Sequence, residues 1–529
     1  MLKYGVANIR RLHDFQPIEL KRITLLVGKN SGGKSTFLRT FPLIRQSLMT
    51  RTSSPMLWYG DLVDFGSFET VLSRDSKSKA IYFSYEIDEL QLEDRTLFVE
   101  AFGYFRRQGF QTTITGINYK VGIERRGERT RISSISIGIK SPPLQIELEV
   151  DDNNNVKRID VNGNDLISAV TPLRINISAG TLFPELRFAR AKEDLNKDIW
   201  GGNSANAVFP ALSRLLRKVI DQRTRDKSIA DISSRLIVSG LADRAKFRQI
   251  GAAQGKTVGR LFDSLASSPP GSTTYEQIAL LVNAAALPNL FRSISSHLRS
   301  IFSATLYIGP ARARSERYYR YQDLAVSEID PDGKNFPMFL NSLRVSQVQE
   351  FSDWVRKLFG YGVSLSRSTG HISINLTNGG DETNIVDVGY GVSQILPVLG
   401  QIWWARNRVI SRESRSPLSL LVIEQPELHL HPAHQALLAD ALVGDATASI
   451  ERNNSAGRMH YVVETHSETL VNRLGEFIAA KRVDPSEVQV ILFEPDDDGT
   501  TTKVRTVEYN SDGALIDWPY GFFQAPFLT

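Results

Sequence analysis

The hydrophobic pattern divides the chain into blocks of different period. Ile23-Thr24-Leu25-Leu26-Val27 is an unbroken apolar run of strand length, and Thr36-Phe37-Leu38-Arg39-Thr40-Phe41 has the spacing of a helix start. Two or three short strands are predicted between Leu2 and Val27. From Ala80 to Asn162 apolar and polar residues alternate at period two, over 81–87, 96–101, 112–125, 129–139 and 144–150. Turns rich in Asn, Asp and Gly at 151–155 and 162–164 break the runs, which predicts an antiparallel meander. Around Pro184 the period becomes helical, over 209–220, 257–266, 275–286 and 290–302, with a Ser-Pro-Gly turn at 267–272. Sheet pattern returns at Leu306-Tyr307-Ile308-Gly309-Pro310. Two later apolar runs each end in an acid, Leu418-Ser419-Leu420-Leu421-Val422-Ile423-Glu424 and Tyr461-Val462-Val463-Glu464. The last strands, 488–493 and 504–507, are predicted to form a hairpin around Asp496-Asp497-Asp498-Gly499. The expected organisation is an N-terminal lobe with an antiparallel β subdomain (1–183), an α-helical insertion (184–303), a C-terminal α/β lobe (304–475), and a hairpin with tail (476–529).

Composition narrows the chemistry. The 529 residues are 41% hydrophobic and 23% charged, ordinary for a globular chain large enough for two or three cores. Cysteine is absent, which removes disulfides, thiolate metal sites and cysteine nucleophiles. The start, Met1-Leu2-Lys3-Tyr4-Gly5-Val6-Ala7-Asn8, lacks the apolar core of a signal peptide, and no uninterrupted apolar run reaches membrane-spanning length. A cytoplasmic protein without membrane contact is expected. The net charge of +5 is compatible with a DNA or RNA partner without requiring one.

The most specific feature lies between the first strand and helix. Gly28-Lys29-Asn30-Ser31-Gly32-Gly33-Lys34-Ser35 fills every fixed position of GxxxxGK[ST], in the strand–turn–helix context that a phosphate loop needs. Backbone N–H groups of Asn30 to Thr36 at a helix N-terminus suit a polyphosphate. Lys34 should reach the β- and γ-phosphates, and Ser35 should place its hydroxyl on Mg²⁺. The implied ligands are ATP and Mg²⁺. Glu424, at the tip of an apolar strand, is the expected metal-side carboxylate with Ser35. His466, just past another strand tip, suits a γ-phosphate or lytic water. Arg10 and Arg11 either fold over the nucleotide or belong to a solvated strand edge. Gly389-Tyr390-Gly391-Val392-Ser393-Gln394 is a second glycine turn opening a helix, with Gly389, Gly391 and Ser393 as candidate anion contacts.

Taken in order, these motifs resemble an ATP-binding-cassette ATPase of the SMC/RecF-like group, related to the OLD (overcoming lysogenization defect) family. The residues carrying the resemblance are 23–35, 389–394, Glu424-Gln425-Pro426-Glu427-Leu428-His429-Leu430-His431-Pro432, and Glu464-Thr465-His466-Ser467. The tail Asp517-Trp518-Pro519-Tyr520-Gly521-Phe522-Phe523 is similar to a short C-terminal domain of unknown function found on bacterial AAA-family ATPases. The resemblance implies an α/β fold, an ABC-type P-loop head with a mixed sheet. It also implies a homodimer or higher homo-oligomer closed through ATP sites, each completed by the 389–394 turn of the neighbouring copy. The implied activity is ATP hydrolysis that switches conformation in anti-phage defence or nucleic-acid maintenance, acting on a separate nuclease-like effector. Roughly sixty residues follow His466, too few for a nuclease domain in cis.

The chain departs from that pattern at Gln425, where a glutamate general base is usual. Slow turnover is therefore expected, with Glu427 or His466 assisting. His431 stands where a dimer-contacting aspartate is common. Two further functions stay open: a DNA-binding repair ATPase, and a scaffold assembled by ATP. For the first, the segment Ala311-Arg312-Ala313-Arg314-Ser315-Glu316-Arg317-Tyr318-Tyr319-Arg320-Tyr321 offers arginines for phosphates and tyrosines for stacking; the same run also reads as an interface or nucleotide-sensing loop inside the ATPase, or as a solvated basic surface. His429, His431 and His434 suggest zinc only weakly, for want of a fourth ligand.

Overall fold

The computed structural model describes all residues except 1, 75, 93–111, 172, 191–202, 239, 254–255, 270, 409–417, 452–458, 497–499, 520–521 and 524–529. The strand expected at 96–101 and the hairpin tip at 497–499 lie outside the described residues. The chain forms two compact units. One comprises Met1–Asn8, Thr50–Leu57 and Asp75–Arg299; the other comprises Ile9–Met49, Trp58–Arg74 and Ser300–Thr529.

In the first unit the period-two segments form the expected meander. Leu2–Ile9 pairs with Ala80–Leu92, followed in space by Thr112–Arg126, Arg129–Ser141, Leu144–Val150, Val156–Val161 and Asn164–Asp165, each antiparallel to the last. Leu144–Val150 shows the cause, with strictly alternating buried and exposed positions that give one apolar face. The same unit holds the helices Asn203–Val219, Asp226–Val238, Arg244–Ala252 and Lys256–Ser267. The sequence pattern suggests two helices over 275–302, but Thr273–Ser303 is one helix of 31 residues running through Pro288. Its apolar stretch is long enough to cross a membrane, yet most of it is buried within the protein. That burial outweighs the loss of one backbone hydrogen bond at the proline.

The second unit is built on a six-stranded sheet. The strands run in the order Leu306–Ile308, Ser419–Glu424, Met459–Glu464, Ile23–Gly28, Val488–Pro495 and Thr502–Val507. The first five are parallel, and the sixth closes the expected hairpin. Ile23–Gly28 is buried at every position, which explains its unalternating apolar sequence. The register sets Glu424 beside Glu464, and Glu464 beside Leu26. Both acids therefore end at the edge where the phosphate loop leaves the sheet. Helix Lys34–Met49 packs on the strands Ser419–Glu424 and Met459–Glu464. Beyond the hairpin, Tyr509 donates its hydroxyl to the Val471 carbonyl at 2.9 Å, and Trp518, Phe522 and Phe523 stack together against the core.

Candidate functional site

The phosphate loop is shaped by its backbone. Gly33 has φ +91° and Ser31 φ +62°, left-handed conformations that turn successive N–H groups inward. A Cβ on Gly28 would stand 2.4 Å from the Phe493 carbonyl oxygen, so only glycine lets the loop leave the sheet so close to its neighbour. Lys34 is buried and donates its ammonium to the carbonyls of Gly28 (2.9 Å) and Lys29 (2.8 Å). Its pKa is lowered by burial, against the attraction of Glu464 and Glu427. Asn30 and Ser31 are exposed at the rim, and Thr36 is buried on the helix.

The acids at the strand tips have different partners. Glu424 is 1% exposed and its carboxylate is already engaged. Arg39 holds it with a two-pronged bond, Nε to Oε2 at 2.8 Å and Nη2 to Oε1 at 2.6 Å, and the Tyr307 hydroxyl donates to Oε2 at 2.9 Å. Ser35, expected beside Glu424, donates its hydroxyl to Glu464 Oε1 at 2.7 Å. The reason is the sheet order: Glu464 lies on the strand next to the phosphate-loop strand, and Glu424 lies one strand farther. Glu464 is also 1% exposed, and its Oε2 has no hydrogen-bond partner among the described residues. Burial first, then the Glu424 charge, pushes its pKa up to about 6. Ser35 and the two strand-tip acids are hard oxygen donors of the kind Mg²⁺ takes; among the described residues Glu464 Oε2 has no partner, while the Glu424 oxygens are held by Arg39 and Tyr307.

Gln425 follows with φ +44°, a left-handed conformation unusual for a side-chain-bearing residue. Its N–H donates to the Glu464 carbonyl at 2.9 Å, and its side-chain amide reaches Glu464 Oε1 at 3.4 Å. Arg312 holds the same turn from the other side. Its Nη2 donates to the carbonyls of Glu424 (3.1 Å) and Gln425 (3.4 Å). At 5% exposure, with its pKa lowered to about 10 by burial, Arg312 belongs to the interior of this site and not to a basic surface. Glu427 is buried, with its pKa raised by burial, and Oε1 accepts the His466 N–H at 2.6 Å. The His466 ring is exposed, and its pKa is lowered by partial desolvation and by the charge of Lys34. Arg10 lays its guanidinium 5.1 Å from the Phe65 ring centroid, where burial and the Arg39 charge lower its pKa. Arg11 gives its carbonyl to the Thr502 N–H and leaves its side chain exposed.

The glycine turn is formed as the sequence implies. Gly389 has φ +106°, and the helix Tyr390–Arg408 starts directly after it. A Cβ on Gly391 would meet the His429 carbonyl oxygen at 2.6 Å. Ser393 is buried, and its hydroxyl donates to the Tyr390 carbonyl at 2.7 Å. Around the turn Val386, Val388 and Tyr390 are exposed. Arg317 is tied to Asp387 in the exposed ion pair beside it. The three histidines do not converge. His429 stacks edge-on with Tyr390, His434 faces Phe359, and His431 is exposed. Among the described residues no group of three or more His, Cys, Asp or Glu could hold a metal.

Arg39, Tyr307 and the contact of Ser35 with Glu464 escape a reading of the motifs alone. Two signals were present: Arg39 stands four residues after Ser35 on one helix face, and Glu464 ends an apolar run just as Glu424 does.

Residues 317–471 match a family model described as an AAA ATPase domain. No curated protein matches the chain in sequence. Among solved structures, the SMC head domain from Thermotoga maritima aligns at 10% identity with a TM-score of 0.33, covering 96% of this chain and 98% of that one. The Smc head domain of Pyrococcus furiosus, with an extended coiled coil and bound to the C-terminal domain of ScpA, aligns at 12% identity and TM-score 0.33, covering 96% and 97%. A head domain from Pyrococcus yayanosii gives 9% and 0.34, covering 97% and 98%. The segment similar to an AAA ATPase domain contains the glycine turn, Glu424 and His466. The phosphate loop precedes that segment in sequence, and the fold brings it to the same sheet edge.

Proposed function

We propose that this chain is a slow ATP-hydrolysing switch. ATP is held by Asn30 to Thr36, and two copies close head to tail so that Gly389, Gly391 and Ser393 of one face the nucleotide of the other. The observation that carries this reading is one cluster at a single sheet edge: Ser35 and the Gln425 amide both reach Glu464 Oε1, the His466 N–H reaches the neighbouring Glu427, and the Lys34 ammonium sits on the Gly28 and Lys29 carbonyls of the adjoining loop. Bound Mg²⁺ would neutralise charge on the β- and γ-phosphates. Lys34 would exchange its two loop carbonyls for phosphate oxygens, and Gln425 would orient a water without accepting its proton. With glutamine at that position, turnover is slow and the nucleotide-bound state is long-lived. Such a protein suits control of a separate nuclease-like effector in anti-phage defence or nucleic-acid maintenance, in the cytoplasm.

The exposed rim of Val386, Val388 and Tyr390 supports a partner copy at the glycine turn. Light scattering with ATP and Mg²⁺ tests it. The expected result is an ATP-dependent rise in mass that Tyr390→Glu abolishes while each copy still binds nucleotide. Equal mass with and without ATP would refute it. Exposed Tyr318 and Tyr321 favour a second reading, direct contact with DNA or RNA. It loses Arg312, which is buried, and Arg317, which is paired. Affinity for single-stranded DNA that falls steeply with salt would support it.

A further inference from the structure

We infer that the helical hairpin formed by Asn203–Val219 and Asp226–Val238 is a docking surface for the phosphate backbone of duplex nucleic acid. The inference goes beyond the ATP-switch reading and makes no use of Tyr318 or Tyr321. It starts from where the charge lies. Residues 203–267 hold twelve of the 63 Lys and Arg but only five of the 58 Asp and Glu, a net charge of +7. The whole chain carries +5, so the remaining residues together are slightly acidic. A mild total conceals one strongly basic segment. Its densest part is 214–227, with six basic residues and two acids, at the end of the first helix and the turn into the second.

The fold puts these charges outside. Leu212, Leu216 and Ile220 are buried, as are Ile229, Ile232 and Leu236 on the helix packed beside them. Arg214, Arg217 and Lys218, spaced i, i+3 and i+4, therefore share the outer face. Arg217 braces the turn: Nη1 donates to the Thr224 carbonyl and Nη2 pairs with Asp226 at 3.2 Å. Arg223 and Arg225 stand exposed on that braced turn. Among the described residues Lys218, Arg223 and Arg225 have no ion pair, nor has Arg214, whose Nε donates to the Pro210 carbonyl at 3.2 Å. Cations in the last turn of the first helix offset its dipole, but Arg223 and Arg225 lie beyond that turn. What the surface lacks fixes the partner. Among the described residues no large hydrophobic side chain between 203 and 267 is exposed. The hairpin thus offers neither the apolar centre of a protein interface nor the apolar face that enters a membrane, and no aromatic ring for a base to stack on. Fixed cations alone match a partner that presents dense charge alone. Duplex nucleic acid does so, with one phosphate about every 1.7 Å of its axis.

The test is the salt dependence of binding. A fluorescent DNA duplex of about 20 base pairs is titrated with the full chain between roughly 50 and 200 mM KCl, and anisotropy is read. Four phosphate contacts, from Arg214, Lys218, Arg223 and Arg225, predict a slope of log affinity against log salt of about −3.6. That is a loss of roughly a hundredfold across the range. Lys218→Ala, Arg223→Ala and Arg225→Ala combined should bring the slope to about −1 and weaken binding at least roughly tenfold at low salt. Two duplexes of different sequence should bind within about threefold of each other. No duplex binding at about 50 mM KCl, or an unchanged slope in the triple variant, overturns the inference. So does a duplex signal that Tyr318→Ala with Tyr321→Ala abolishes and the triple variant keeps. Binding to phosphatidylserine vesicles without binding to the duplex overturns it in favour of a membrane surface. Should the triple variant not fold, Arg223→Gln with Arg225→Gln, confined to the turn, should lower the slope by about 1.8, and an unchanged slope is refuting.

Discussion

Replacing Arg39 by Met removes the fork that neutralises Glu424 while keeping the aliphatic stem. Glu424 would then remain buried, with its side chain 2% exposed and the Tyr307 hydroxyl the remaining hydrogen-bond donor to its carboxylate among the described residues. Removing one partner of a fully buried ion pair costs about 3–5 kcal/mol, because the other charge is stranded. Arg39 keeps 33% of its side chain in solvent, so water relieves part of the loss and about 2–3 kcal/mol is the better figure. Glu424→Gln in the same chain removes the stranded charge. The double variant should therefore be more stable than the sum of the single effects by about 2 kcal/mol. Urea unfolding followed by tryptophan fluorescence measures this, since Trp354, Trp403 and Trp404 lie in or against the same core. In a thermal melt a loss of this size lowers the midpoint by roughly 4–12 °C. A cost below about 0.5 kcal/mol for Arg39→Met, or strict additivity with Glu424→Gln, would refute the view that Arg39 is the counter-charge of this acid.

Two further outcomes follow from other parts of the molecule. Gly475 and Gly513 touch backbone to backbone, and a Cβ on Gly475 would stand 2.3 Å from the Gly513 carbonyl oxygen; Gly475→Val should release the segment after Tyr509, seen as early C-terminal cleavage in limited proteolysis. His297 has its pKa lowered to about 4, chiefly by burial. Its folded value lies below the unfolded value near 6.5, so the unfolded chain binds the proton more tightly. Stability linked to His297 is complete above about pH 6.5 and is lost as the pH falls through 4. Near pH 5 the loss should be about 1 kcal/mol after allowance for partial exposure. His297→Gln should flatten that acid limb in urea titrations at pH 5 and pH 7; an unchanged slope would assign it to other groups.

How much of this was legible beforehand follows the range of the interactions. The phosphate loop, the meander and the Gly389 turn depend on neighbours a few residues apart, so glycine placement and period revealed them. The membership of Glu424 and Glu464 in one sheet edge was also legible, because each ends an apolar run. Which of them meets Ser35 was not. That depends on Met459–Glu464 lying between Ile23–Gly28 and Ser419–Glu424, an order of parallel strands set by contacts hundreds of residues apart. Arg312 shows the same limit in reverse. In sequence it sits among exposed-looking arginines and tyrosines. In the fold, the chain after Leu306–Ile308 carries it under the Gln425 turn. Pro288 misleads in a third way, since local preference breaks a helix that burial keeps whole.

Calorimetric titration of ATP with Mg²⁺ into the wild-type chain and into Lys34→Ala is the shortest route to the heart of the matter. The wild type should take up about one ATP per chain, and the variant should bind at least roughly a hundredfold more weakly while still melting in one cooperative transition. Equal affinity in the two proteins, or no heat of binding in the wild type, would contradict a triphosphate site at the Gly28–Ser35 loop.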